Sequence, residues 1–111
     1  MKDDLSELIA EIEAAEEPLT QREAWRRALI ATGGRHEALT YHVCDALMGS
    51  LDAAIRCLPE HLGYTLAKVY VSSDAPLYAA CVYPSGYFSE GLWPAAALVA
   101  VALRVMAHET K

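Results

Sequence analysis

The chain has 111 residues, enough for one domain with a single modest core. Its net charge of −6 excludes general nucleic-acid binding through a basic surface. Three cysteines (Cys44, Cys57, Cys81) form no CxxC pair. The opening "MKDDLSEL" is acidic where an export signal is basic and then apolar, so a cytoplasmic protein with reduced thiols is expected.

In chain order, Leu5, Leu8, Ile9 and Ile12 recur at helical spacing and predict an acidic helix over about 4–16. Asp4 with Glu7 reads as its capping box, and Pro18 as its stop. Thr20 with Glu23 is a second capping box. It opens a helix of about 21–32 with a stripe of Trp25, Ala28 and Leu29, closed by Gly33-Gly34. Residues 37–58 are helical through Leu39, Val43 and Leu47, and again from an N-cap at Ser50 through Leu51, Ala54, Ile55 and Leu58. Gly49 leaves open whether this is one kinked helix or two.

From Tyr64 the pattern turns to β. "YTLAKVYV" and "PLYAACVY" flank "SSDAP", which carries turn chemistry, so a hairpin over 64–83 is predicted. "YFS" offers a short third strand. The small-residue face, Thr65, Ala67, Val69 and Val71, is expected to meet the C-terminal helix. That helix, over 93–108, lies in "GLWPAAALVAVALRVMA". A membrane span needs about 20 consecutive apolar residues. Here the run Leu92–Leu103 is ended by Arg104, so the segment reads as a core helix with Pro94 in its first turn. The expected class is α+β: N-terminal helices, a small antiparallel sheet of two to three strands, and a long C-terminal helix packed on the sheet.

Charge is uneven. Residues 1–17 hold Asp3, Asp4, Glu7, Glu11, Glu13, Glu16 and Glu17 against Lys2, which equals the whole net charge of −6. One reading is an acidic face of Asp4, Glu7, Glu11 and Glu17 offered to a basic partner. The other is a solvated helix trading surface ion pairs with Arg22, Arg26, Arg27 and Arg35 of the next one. A second candidate surface is aromatic: Tyr64, Tyr70 and Tyr78, with Tyr83, Tyr87 and Phe88 beside them. No catalytic set, cofactor site or metal site is predicted. His36, His42, His61 and His108 fall at no recognised zinc spacing with the cysteines, and "TGGRHE" reads as a helix end rather than a phosphate loop.

"SLDAAIRCLPE" (50–60), the strands after it and "WPAAALVAVALRVMA" resemble small phage and prophage proteins of the phage ABA-sandwich-domain type. The matching positions are Ser50, Leu51, Asp52, Ala53, Ala54, Leu58 and Pro59, then Pro94, Ala95, Ala97, Leu98, Ala102, Leu103 and Arg104. The chain departs from that pattern at Leu47-Met48 and in lacking a tryptophan-rich strand after Pro59. The resemblance, over 50–107, implies a helix–sheet–helix sandwich of mobile-element origin and no established catalytic residues. The expected function is therefore non-enzymatic: binding of a host protein, most sharply inhibition of a nucleic-acid-binding defence effector of the anti-CRISPR kind. Neither direct nucleic-acid contact nor membrane insertion is expected, and a homodimer is. Two other readings are a small-molecule binder or minor enzyme, with a pocket of tyrosines and Cys81 between sheet and helices, and a self-assembling structural module.

Overall fold

A computed structural model describes the backbone of residues 2–72, 75–84 and 86–109, and the side-chain surroundings of residues 5–69, 77–84 and 86–107. The side chains of Asp4, Tyr70 and His108 lie outside the described residues. Four helices, α1 (Lys2–Ala14), α2 (Gln21–Thr32), α3 (Glu37–Leu47) and α4 (Leu51–Arg56), precede strands β1 (Gly63–Ser72), β2 (Ala75–Tyr83) and β3 (Phe88–Gly91), and α5 (Pro94–Glu109) follows. The fold is the α+β arrangement expected, with one antiparallel sheet in the order β1-β2-β3.

Local chemistry explains most boundaries. Thr20 caps α2, its hydroxyl accepting from Glu23 N at 3.4 Å, and Gly33 ends that helix in the left-handed conformation at φ 66. Ser50 caps α4, accepting from Ala53 N. Residues 37–58 are thus two helices, parted at Met48–Ser50 where Gly49 takes φ 109. Three local expectations need correction. Helix α1 begins at Lys2, so Asp4 lies in its first turn and does not cap it. It stops at Ala14, four residues before Pro18, and the carbonyl of Ala15 just beyond it accepts from the Trp93 indole N–H at 3.1 Å. In α2 the buried stripe is Ala24, Ala28 and Thr32, while Leu29 is exposed. Small side chains let α2 approach α3 closely, and the Thr32 and Thr40 hydroxyls meet between them at 2.6 Å.

Helix α5 is the centre of the core. Every residue from Ala95 to Leu103 is at most 1% exposed. It lies over β2 and β3 and only grazes β1, while α1, α3 and α4 pack on it as well. The close approach is made by small residues. A Cβ on Gly91 would sit 2.7 Å from Ala97 N and 2.9 Å from Ala96 Cβ. Buried Ala80 and Ser89, paired in register, stand on the same face.

That register corrects the expected sheet orientation. Leu66 pairs with Ala80, and Tyr64 with Val82. Paired residues share a face, so Tyr64, Leu66 and Lys68 belong to the helix side. Thr65, Ala67 and Val69 point to the outer side with Leu77, Ala79 and Cys81. The small residues that α5 requires come from β2 and β3. On β1, which α5 barely reaches, bulkier side chains face inward without clash.

Candidate protein interface

Two features of the sheet stand out among the described residues: an outer face with no helix on it, and an outer edge with no strand beside it. On the outer face Val69 is 42% exposed, Tyr83 49% and Phe88 50%. Half-buried Leu77, Ala79 and Cys81 run between them on β2, and Glu90 supplies the one charged side chain among the described residues of that face. The Tyr83 hydroxyl donates to Thr65 Oγ1 at 3.4 Å across the face.

The edge follows from backbone alternation. Val82 N donates to Tyr87 O at 3.0 Å, so Val82, and with it Ala80 and Tyr78, directs its backbone toward β3. Cys81, Ala79 and Leu77 then bond to their partners Thr65, Ala67 and Val69. The alternate β1 positions, Tyr64 and Leu66 among them, direct their N–H and C=O groups outward, where no strand lies. Pro76 fits this pattern, since its missing N–H falls on the side away from β1.

The opposite edge is tied down at Glu90. Glu90 N, which points out from β3, donates to Glu13 Oε2 of α1 at 3.2 Å. Glu13 Oε1 accepts from Arg104 Nη2 at 3.0 Å, and Arg104 Nε donates to Ser89 Oγ at 2.7 Å. One carboxylate thereby joins α1, β3 and α5.

The predicted site residues do not converge on one surface. Glu7 and Glu11 are exposed on α1 but face α2, lining a groove of about 380 Å³ with Arg26, Arg27 and Ile30. Glu11 Oε2 accepts from Arg27 Nε at 3.1 Å. Such a half-exposed pair contributes under about 1 kcal/mol, yet it neutralises part of the acidic face. Glu17 is exposed beyond the end of α1. Tyr64 is 40% exposed on the helix side. Tyr78 is half-buried there, with Lys68 Nζ 5.9 Å from its ring centroid. Tyr83 and Phe88, named from the sequence beside the aromatic candidates, stand on the outer face, and Val69, expected against the C-terminal helix, stands there with them. The signal that finds them is strand parity, readable only once the turn fixes the register.

A groove of about 560 Å³ opens at the start of β1, between His42, Ile55, Leu58, Leu62 and Tyr64. The expected pocket of tyrosines and Cys81 is not formed, because Cys81 stands on the opposite face of the sheet from Tyr64. Cys57 is buried, its thiol donating to Ala53 O at 3.3 Å, and burial pushes its pKa up to about 12. Burial, with the Asp45 charge adding to it, also raises Cys44. Both thiols are held protonated, the reverse of an activated nucleophile. No cluster of three or more His, Cys, Asp or Glu residues able to hold a metal occurs among the described residues. Nor is any described helix long and apolar enough to cross a membrane.

Comparison with family models, with curated proteins and with solved structures gives no match.

Proposed function

We propose that this chain is a non-enzymatic interaction protein that binds another protein through the outer face of its sheet. The uncovered row of Val69, Tyr83 and Phe88 around Leu77, Ala79 and Cys81 carries the reading. Scattered exposed apolar residues need no explanation, but apolar side chains gathered on one face are characteristic of interfaces. Tyrosine and phenylalanine bring large rigid contact area with few rotamers to freeze. The partner that fits is an apolar protein surface rather than a basic groove, since Glu11 is already engaged by Arg27 and Glu13 by Arg104.

The resemblance over 50–107 supplies the biological setting of the proposal: a phage or prophage product that binds a host protein and inhibits a defence effector. The experiment is phage plating on bacteria carrying a CRISPR nuclease, with the chain expressed in trans. Wild-type protein is expected to restore plating. A Tyr83→Asp, Phe88→Asp double variant is expected to lose that effect while unfolding at an unchanged temperature. A Glu7→Gln, Glu11→Gln, Glu17→Gln variant is expected to keep it. Loss in the acidic variant alone would move the interface to α1, and no rescue across a panel of such nucleases would remove the inhibitor reading.

A further inference from the structure

We infer that the open edge of β1 pairs with β1 of a second copy, antiparallel about a twofold axis through Ala67, to give one continuous sheet. The inference is independent of the outer-face reading above.

Three observations lead to it. The first is the difference between the edges. The outward N–H of Glu90 on β3 is taken up by Glu13, whereas no strand of the sheet lies beside the outward groups of Tyr64 and Leu66 on β1. An antiparallel edge is its own complement: turned about a dyad, each outward N–H meets a C=O of the identical strand. Ala67 is the centre of the run from Tyr64 to Tyr70. Beyond Tyr70 the register shifts before Ser72, which ends the regular edge.

The second is charge. Within the run 64–70 the only charge is Lys68, one positive charge per copy in an acidic protein whose residues 1–17 carry the whole −6. The acidic helix α1 packs beside β3, at the far edge of the sheet. Two copies of an acidic protein thus meet at β1 with their carboxylate-rich helices apart, an approach that other faces of α1 oppose.

The third is the space at the end of β1. In this pairing the partner's chain just past its residue 70 runs by Tyr64, at the mouth of the groove formed with Ile55, Leu58 and Leu62. Apolar lining that is half-buried in one copy becomes covered in two. Seven paired residues at about 3.4 Å each make a seam of roughly 24 Å. Such a seam buries on the order of 1,000 Å² in total, the size of a weak, transient interface, so a concentration-dependent dimer with a dissociation constant no tighter than about micromolar is expected.

Sedimentation equilibrium on the full chain tests this, together with hydrogen exchange at low and high concentration. The mass is expected to rise from 12.1 kDa toward twice that value as concentration crosses the micromolar range. Over the same range the Tyr64 and Leu66 amides should slow by about tenfold, while Ala67 and Val69, bonded within the chain, should not change. Leu66→Pro removes an outward N–H without touching the β1–β2 ladder and should hold the mass at 12.1 kDa. Because Leu66 also packs on the core, a second variant is needed. Ala67→Cys in a Cys81→Ser background should cross-link two copies readily under mild oxidation, since Cα atoms of a non-hydrogen-bonded pair stand about 4.5 Å apart. A chain that stays monomeric at about 1 mM overturns the inference. So does a dimer in which the Tyr64 and Leu66 amides exchange as in the monomer. Protection of those amides only when a different protein is added would assign the edge to that protein instead.

Discussion

The two edges of the sheet are finished by opposite means. At β3, glycine and serine bring the strand against α5, and a carboxylate from α1 takes the outward N–H of Glu90. At β1, larger side chains face a helix that hardly reaches them, and the outward backbone groups of Tyr64 and Leu66 have no strand beside them. Both strands belong to one register, so the contrast does not come from strand chemistry alone. It comes from where α5 lies. A helix covers about two strands, being roughly 10 Å across where strands repeat at about 4.8 Å. The third strand is left half-covered.

The contrast can be broken most sharply at Gly91. Gly91→Val places a branched side chain where a single Cβ already meets Ala97 N at 2.7 Å. We expect a loss of at least about 3 kcal/mol, or failure to fold, by urea unfolding. The helix layer makes the next prediction. Cys57 has its pKa raised from 9.0 to about 12, so the folded state keeps a proton that the unfolded state releases. That contribution is complete below pH 9 and is lost as pH rises toward 12, at up to about 1.4 kcal/mol per pH unit. Stability curves of wild type and Cys57→Ala should converge over that window. If they stay parallel, the thiol is not desolvated. Glu13→Gln tests the tie at Glu90 itself. It keeps the shape but weakens the charged bonds to Arg104 and Glu90 N, and should cost about 1–2 kcal/mol, with faster exchange at Glu90. On the open side Val69→Thr should shift stability by no more than about 0.5 kcal/mol, because the residue is 42% exposed and no helix covers it. A loss near that of Glu13→Gln would mean that the outer face is covered in solution.

Much of this architecture is legible in the sequence. Capping residues mark α2 and α4, and Pro94 with the alanine-rich run marks α5 as core. The faces of the sheet are not legible. Alternation divides β1 correctly into two sets, but which set faces inward depends on where α5 crosses, and that is decided by Gly91, Ala80 and Ser89 on other strands. The edge-tying role of Glu13 is hidden for a related reason. In sequence it is one of seven acids in the first 17 residues. Only its position beside Ile9 and Ile12, together with the one charge that interrupts the apolar run, Arg104, points to a partner on the helix side. The sequence names Tyr83 and Phe88 with the other sheet aromatics but does not separate them from Tyr64 and Tyr78, because they come from different strands and share a face only through the register.

The central position of α5 also bears on how the chain reaches its fold. Helices α1, α3 and α4 and strands β2 and β3 all bury their apolar sides against a segment that follows them in sequence. Strand β3 adjoins α5 in sequence, but α1, α3 and α4 lie far from it, and such long-range contacts raise the contact order and slow folding. The helical hairpin and the β-hairpin can form locally, but neither has a core to rest on until Pro94–Glu109 arrives. A ribosome moving from the N-terminus therefore produces most of the polypeptide before any of it can settle, and a product terminated ahead of Pro94 would be left as unassembled parts.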